Sequence, residues 1–391
     1  MKTTPIPYGR QDIDQHDIDA VVEVLGAEFL TQGPVVGRFE LAVASYCGAQ
    51  HAVAVNSATS ALHIACLALG VGPGDSVWTS PITFVATANC ALYCGASVDF
   101  VDIDLASYNM SVPRLREKLE VARKAGKLPK VVIPVHMTGQ SCDMAAIHQL
   151  GQEFGFSIIE DASHAVGARY RGQPVGCGRY CDITVFSFHP VKIITSGEGG
   201  MALTNNEQLA ESLRRLRSHG ITGNLLEMDT RPEGELWNYQ QVELGFNYRL
   251  TDIHAALGLS QMRRLDGFVA ARHALARRYD EMLSDLSLTT PWQARDTYSS
   301  YHLYVVRLSL SQIRKTQKEV YRELHARGIM VNLHYIPVYL QPYYQRLGFA
   351  TGYCPDAERY FKEALSIPLY PGLTFEAQDR TIETLAEVLQ A

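Results

Sequence analysis

Short apolar runs alternate with segments of helical periodicity through the first two thirds of the chain. Such runs, bounded by turn residues, are typical of strands in a sheet that is covered on both faces. The predicted strands are 51–55, 75–79, 97–103, 131–135, 157–159, 183–188 and 201–203. The predicted helices between them are 59–69, 84–94, 112–124 and 144–154. This order favours an α/β fold in which a mixed, mostly parallel sheet lies between helices and binds ligands at the carboxyl ends of its strands.

The pattern changes after about residue 265. A long helical segment over 262–283 is followed by a predicted strand over 301–308 and by predicted helices over 317–327 and 357–364. We therefore predict a large domain over residues 1–265, with an N-terminal arm over 1–32, and a smaller α+β domain over 266–391.

Composition narrows the class of protein. Of the 391 residues, 47% are hydrophobic and 19% are charged, which is typical of a globular protein with a large core. The formal net charge is -6, and a nucleic-acid-binding protein would be expected to carry an excess of basic residues. No apolar run approaches the ~20 residues of a membrane span, and no signal-peptide pattern precedes the first strand. We expect a cytoplasmic protein without nucleic-acid or membrane partners.

The eight cysteines are sparse for this length and imply no disulfide framework. Two close pairs, Cys90/Cys94 and Cys177/Cys181, could be considered as metal ligands. Zinc sites usually have tighter pairs with partner ligands at fixed spacing, so we expect no metal site.

The first segment with candidate chemistry is Asn56-Ser57-Ala58-Thr59-Ser60-Ala61, between a predicted strand and a predicted helix. Small and hydroxyl side chains at a helix start leave backbone N–H groups free for an anion, and the helix dipole favours a phosphate there. An ordinary Ser or Thr N-cap has the same sequence, so the segment by itself indicates either.

The second segment, Ile159-Glu160-Asp161-Ala162-Ser163-His164, ends an apolar strand in two carboxylates. A buried aspartate at this place could pair with a protonated pyridine nitrogen and keep that ring electron-poor. A loop carboxylate and a hydrogen-bonded core histidine explain the same residues equally well.

The third segment is Phe186-Ser187-Phe188-His189-Pro190-Val191-Lys192. A lysine just beyond a buried strand is a candidate Schiff-base amine, because burial lowers the pKa of an amine. A single lysine is more often a solvated surface charge. Here apolar residues and the stretch Ser196-Gly197-Glu198-Gly199-Gly200 follow it, and such a backbone can approach a ligand closely.

The fourth segment, Gly245-Phe246-Asn247-Tyr248-Arg249-Leu250, precedes a helix that is predicted to begin after Thr251. Its Asn and Arg could reach an anion, and a turn with an N-cap at Thr251 is the simpler explanation.

In chain order, the four segments resemble one known layout: a phosphate loop, an aspartate, a serine, a lysine and an Asn/Arg pair. The chain is similar to the DegT/DnrJ/EryC1/StrS sugar aminotransferase family, a branch of the aspartate-aminotransferase (type I pyridoxal-phosphate) fold. The resemblance extends from Gly33-Pro34 to the motif at 334–337. Within the family, the motifs at 29–34, 189–192 and 334–337 most resemble the members that act in pseudaminic acid biosynthesis.

The resemblance implies a role for each motif position. Lys192 forms the Schiff base with pyridoxal 5′-phosphate, and Asp161 pairs with its pyridine nitrogen. The other implied cofactor contacts are Ala58, Thr59 and Ser187 at the phosphate, Phe84 on the pyridine ring, and His164 at the phenolic oxygen, where many relatives have Gln. The implied substrate contacts are Tyr8, Thr31, Arg249, His334 and Tyr335. Asn247 is expected to reach the phosphate of the neighbouring subunit, which implies a homodimer with shared active sites.

The reaction implied by the resemblance moves the amino group of L-glutamate to C4 of a UDP-linked 4-keto-6-deoxy-N-acetylhexosamine. Amination at C3 or C4 of a dTDP- or GDP-linked keto sugar remains an alternative. A dehydratase of the same fold would have His in place of Lys192. A nicotinamide-dependent epimerase or reductase would need Gly-x-Gly-x-x-Gly after the first strand, where this chain has 56–60 instead. A protein that only binds a ligand would not need the lysine and the aspartate together.

Overall fold

The computed structural model describes residues 4–229, 234–235 and 237–390. Its helices are α1 (Gln15–Leu25), α2 (Pro34–Cys47), α3 (Ala58–Ala68), α4 (Ala86–Tyr93), α5 (Val112–Ala125), α6 (Met144–Phe154), α7 (Glu207–Arg217), α8 (Asp252–Met262), α9 (Leu265–Met282), α10 (Gln317–Ala326), α11 (Pro342–Gln345), α12 (Pro355–Glu363) and α13 (Phe375–Gln390). Its strands are β1 (Ile6–Pro7), β2 (His51–Val55), β3 (Ser76–Thr79), β4 (Ser97–Phe100), β5 (Val131–Ile133), β6 (Ser157–Asp161), β7 (Arg169–Tyr170), β8 (Gln173–Pro174), β9 (Ile183–Ser187), β10 (Gly200–Thr204), β11 (Ile221–Thr222), β12 (Gln240–Gln241), β13 (Leu288–Thr289), β14 (Thr297–Tyr298), β15 (Tyr304–Leu308), β16 (Ile329–Met330) and β17 (Ala364–Ile367).

A seven-stranded sheet in the order β2-β10-β9-β6-β5-β3-β4 organises the first part of the molecule. The pairs among β4, β3, β5, β6 and β9 are parallel, whereas β10 runs antiparallel to both β9 and β2. Loops that follow the parallel strands therefore gather at one edge, where β6 ends at Asp161 and β9 ends at Ser187. The expected mixed, mostly parallel sheet is confirmed.

Side chains alternate between the two faces of this sheet. On one face, Val53 and Val55 belong to a buried cluster with residues of α3 and α4. On the other, Ala52 and Ala54 pack in a cluster that includes Phe39 of α2. Because both faces are covered by helices, the strands are apolar throughout, which is why short apolar runs predicted them.

The predicted helix over 262–283 is wrong at its start. Two helices, α8 and α9, meet at Arg263 and Arg264, and the long one begins only at Leu265. Arg264 pairs with Asp12, Asp14 and Asp17, so its side chain holds the N-terminal helix α1 against this junction. The N-terminal arm thus contains a helix that the sequence pattern did not predict.

The C-terminal part contains a three-stranded sheet in the order β13-β15-β17, and α9, α10 and α13 contribute to its apolar core. This arrangement agrees with α+β structure there, and the boundary at 265/266 stays a prediction. Strand β1 pairs in parallel with β16, so the N-terminal segment is joined to the C-terminal part. Within the described residues, no helix is both long and apolar enough to cross a membrane.

Candidate active site

A cavity of about 470 Å³ lies beside the carboxyl ends of β6 and β9. Ten of the residues that the sequence singled out line it: Tyr8, Ala58, Thr59, Phe84, Asp161, His164, Ser187, Lys192, His334 and Tyr335. A second cavity, of about 550 Å³, lies between α1, α2 and α8, and its lining includes neither lysine nor histidine. The chemistry therefore concentrates in the first cavity.

The start of α3 forms one wall of the cavity. Ser57 is the N-cap, and its hydroxyl accepts a hydrogen bond from Ser60 N at 3.1 Å. Strand β10 passes directly behind this turn: a Cβ added at Gly200 would lie 2.4 Å from the Ala58 nitrogen. Only glycine fits this approach, and Ser187, at the end of the neighbouring strand β9, opens into the same cavity.

Asp161 lines the cavity and is almost completely buried. Thr87 Oγ1 donates to Asp161 Oδ2 at 2.7 Å, and Ser163 N donates to Asp161 Oδ1 at 3.1 Å. A carboxylate can accept about four hydrogen bonds, so Asp161 retains capacity for a further donor from the cavity. Thr87 was not predicted. The available signal for a buried acceptor was the pair of hydroxyl residues Thr83 and Thr87, four positions apart, whose hydroxyls share a 2.7 Å hydrogen bond in the structure.

Lys192 follows β9 and faces the same cavity. Burial lowers the pKa of its amine to about 8, and the nearby Asp161 carboxylate limits that shift. An amine with this pKa is partly neutral near physiological pH, which is the form that attacks a carbonyl.

Three histidines surround the amine. Burial and the charge of Lys192 lower the pKa of His164 well below its ordinary value, and they lower the pKa of His334 to about 3. The His164 Nε2 atom lies 3.2 Å from the Tyr335 hydroxyl, whereas its Nδ1 atom is buried and has no hydrogen-bond partner among the described residues. His302, the third, lines the cavity and was not predicted from the sequence.

Phe84 projects into the open part of the cavity. Its side chain is 58% exposed, and its ring centroid lies 6.3 Å from that of Tyr335. A large aromatic ring left this open is suited to stacking against a planar ligand.

Three predicted site residues lie outside the cavity. Thr31 forms a β-bridge with Thr251. Asn247 forms a bridge with Ser218, whose hydroxyl accepts from Arg249 Nη1 at 3.2 Å. This single chain therefore does not bring Thr31, Asn247 or Arg249 to its own cavity.

The sequence also raised Cys90/Cys94 and Cys177/Cys181 as pairs to consider for a metal site. All eight are free thiols, and the described residues contain no cluster of three or more His, Cys, Asp or Glu side chains arranged to hold a metal ion.

The fold and this cavity define a pyridoxal-phosphate enzyme of fold type I. Residues 11–386 match the model of the DegT/DnrJ/EryC1/StrS aminotransferase family, so the chain belongs to that family. It is an aminotransferase and depends on pyridoxal phosphate.

Curated relatives cover nearly the whole chain. The chain is 37% identical to the Bacillus subtilis spore coat polysaccharide biosynthesis protein SpsC, covering 98% of this chain and 97% of the relative. It is also 37% identical to a Campylobacter jejuni UDP-4-amino-4,6-dideoxy-N-acetyl-beta-L-altrosamine transaminase, over 98% of both chains. A Caulobacter vibrioides GDP-perosamine synthase is 37% identical over 96% of both.

Solved structures agree with this relationship. The Helicobacter pylori aminotransferase PseC, described as involved in pseudoaminic acid biosynthesis, superposes with a TM-score of 0.90 at 30% identity, over 99% of this chain and 100% of that one. The Streptoalloteichus hindustanus aminotransferase TlmJ gives 0.88 at 31% identity, over 99% of both chains. The expected fold, enzyme class and cofactor are confirmed.

Proposed function

We propose that the protein moves the amino group of L-glutamate to C4 of a UDP-linked 4-keto-6-deoxy-N-acetylhexosamine, as in pseudaminic acid biosynthesis. The observation that carries the chemistry is a partly buried lysine with a lowered amine pKa, in one cavity with Asp161 and the start of α3. Whole-chain similarity to the Campylobacter transaminase and to PseC supports the choice of sugar.

The residues present fit pyridoxal phosphate. Ala58, Thr59 and Ser187 would hold the phosphate, because the N-terminus of α3 offers free backbone N–H groups and a favourable dipole. Phe84 would stack on the pyridine ring. The spare acceptor capacity of the buried Asp161 carboxylate is further support, because a protonated pyridine nitrogen would supply the missing donor. When bound, the cofactor supplies an electron-poor ring that accepts the electrons of the bond broken at the substrate carbon.

Each residue has a distinct task in this proposal. Asp161, held by Thr87 and Ser163, would face the ring nitrogen and keep it protonated. Lys192 carries the cofactor between turnovers and moves a proton to and from the substrate carbon, as its lowered pKa allows. His164 and Tyr335 form a neutral, polar wall: burial lowers the pKa of the histidine and raises that of the tyrosine.

The nucleotide sugar would bind between Tyr8, His334 and Tyr335. The Tyr8 and His334 rings lie 5.1 Å apart, and the His334 imidazole is held by the Ser366 hydroxyl at 2.8 Å from its Nδ1 atom. Thr31, Arg249 and Asn247 would act only across a subunit boundary, so we propose a homodimer in which Asn247 completes the neighbouring site.

Substrate choice is tested by glutamate-dependent formation of 2-oxoglutarate with UDP-, dTDP- and GDP-linked 4-keto sugars. We expect the UDP-linked N-acetyl sugar to have the highest kcat/KM, by roughly 10-fold or more, since buried polar contacts to the correct ligand discriminate at least this strongly. The Lys192→Ala protein serves as the blank. A preference for the GDP sugar would instead agree with the similarity to GDP-perosamine synthase and would exclude the UDP proposal.

Capture of the cofactor by the apoprotein is expected to accelerate as pH rises, with a midpoint at about 8. The physical reason is that burial lowers the pKa of Lys192 from 10.5 to about 8, so the neutral amine accumulates above that pH. Stopped-flow absorbance at a fixed pyridoxal phosphate concentration measures the rate. A rate that continues to rise to about pH 10, as for an ordinary exposed lysine, would contradict the burial of this amine.

A further inference from the structure

His302 lies against the ring of His164 in the cavity wall. The two ring centroids are 4.4 Å apart at an interplanar angle of 53°, and both side chains are almost completely buried. The Nδ1 atom of each ring has no hydrogen-bond partner among the described residues. Leaving such atoms unpaired costs free energy that an apolar side chain of similar size would avoid. Simple core packing therefore does not account for a histidine at this position.

The segment that carries His302 is fixed by two distant parts of the chain. Ser300 Oγ donates to the backbone carbonyl of His164 at 2.7 Å, and Ser300 N donates to the Gly139 carbonyl at 3.1 Å. Gly139 has a φ of +108°, and a Cβ there would lie 2.5 Å from Ser300 Oγ. The loop after β5, the loop after β6 and residues 300–302 thus cross at one point, which ties the His302 backbone to that of His164.

Arg272 of α9 completes this support from behind the cavity. Its Nη1 donates to the carbonyls of Tyr301 and His302, each at 3.2 Å, and to that of Leu369 at 3.0 Å. Burial lowers the pKa of Arg272 to about 9. Tyr301 itself has a φ of +48°, a conformation that a bulky residue seldom adopts without a constraint. The backbone of this segment is therefore held at a local cost, in the position that brings His302 to His164.

We propose that His302 is a positioning residue that fixes the orientation of the His164 imidazole beside the cofactor. This inference rests on the proposed function, in which His164 contacts the phenolic oxygen of pyridoxal phosphate. His302 acts through His164, much as a hydrogen-bonded or packed neighbour orients a metal-ligating histidine.

The surroundings of the His164–His302 pair favour neutral rings. Burial lowers the pKa of both imidazoles, and the nearby charge of Lys192, joined by that of Arg272 at His302, lowers it further. On the cavity side, Tyr335 contacts His164 Nε2, and Asp161 accepts from Ser163 N. A neutral His164 can donate one hydrogen bond to the cofactor oxygen without repelling Lys192.

The test replaces His302 by Phe, which keeps a ring but removes both nitrogens. A loosened His164 would stabilise the ionised phenolic oxygen less, so the midpoint of the pH-dependent visible absorbance change should move upward by about 0.5 unit or more in the cofactor-bound protein. We expect kcat to fall roughly 10-fold with KM for glutamate nearly unchanged, the size found when a supporting shell is removed. His302→Gln, which restores a polar side chain, should recover part of both effects.

His273→Phe is the matched control. His273 packs on Tyr298 and Tyr301 of the same segment and bonds the Ser299 carbonyl, but it is not part of the cavity lining. The His273→Phe variant should leave the absorbance midpoint unchanged. If His302→Phe fails to fold, Ser300→Ala removes the bond to the His164 carbonyl and should move the midpoint in the same direction.

Two failures are distinguishable. A wild-type protein that takes up no pyridoxal phosphate or transfers no amino group from glutamate would overturn the proposed function. An active wild type whose absorbance midpoint matches that of folded His302→Phe, or of Ser300→Ala in its place, would overturn only the positioning role.

Discussion

Lys192→Ala is expected to lower the rate of amino transfer by about 10⁴-fold or more and to remove the visible absorbance of covalently held cofactor. In the proposed function this substitution deletes both the amine that bonds the cofactor aldehyde and the group that moves the proton, and the second role alone is worth about 10²–10⁴-fold. Turnover of L-glutamate and the absorbance spectrum are the measurements. Lys124→Ala, on the exposed side of α5, is the control and should behave as wild type. Full activity in Lys192→Ala would refute the assignment.

The same variant tests whether the sites are shared. Lys192→Ala and Asn247→Ala chains would each be impaired alone, but a dimer of one of each contains one complete site. Random co-assembly should therefore regain about a quarter of wild-type activity, because half the dimers are hybrids with one of two sites intact. No recovery on co-expression would place Asn247 in its own subunit's site, whereas full activity of Asn247→Ala alone would place it outside any site.

Asp161→Asn is expected to lower turnover by about 10²–10³-fold while leaving the fold intact. The amide keeps the size of the side chain and can still accept the hydrogen bond that Thr87 donates at 2.7 Å. In the proposed function, however, it no longer provides the charge that holds the ring nitrogen protonated. Losing one preorganised electrostatic contact costs roughly this much in rate. The readouts are kcat in steady state and the affinity of the apoprotein for pyridoxal phosphate.

Thr87→Val tests the placement of the Asp161 side chain separately from its charge. It removes the hydroxyl that bonds Asp161 and should reduce kcat less than Asp161→Asn does. An Asp161→Asn enzyme with wild-type kcat would mean that this carboxylate does not face the ring nitrogen.

Local patterns predicted the buried strands well because both faces of the main sheet are covered, which makes each strand an apolar run. The run at 51–55 coincides with β2, and the helix at 144–154 coincides with α6. Boundaries at the carboxyl ends differ by a few residues, as at 157–159, where β6 continues to Asp161.

Longer-range features could not be predicted in this way. The break at Arg263–Arg264 lies between two segments that both have helical sequence, and the ion pairs that stabilise it come from residues 12–17. His302 was missed for a related reason. Its placement depends on contacts with Gly139, His164 and Arg272, which are far apart in the sequence.

Strand β1 joins one wall of the active-site cavity to the C-terminal part of the chain. Tyr8 follows a two-residue strand whose partner, β16, belongs to the C-terminal part. The Tyr8 carbonyl accepts a hydrogen bond from Leu369 N at 2.9 Å. In the proposed function Tyr8 contacts the sugar, and its backbone is fixed by the C-terminal part rather than by a strand of the seven-stranded sheet. Relatives could diverge in sugar preference by changing this short ribbon first, and a library randomised at position 8 is an economical way to redirect the enzyme to other sugars.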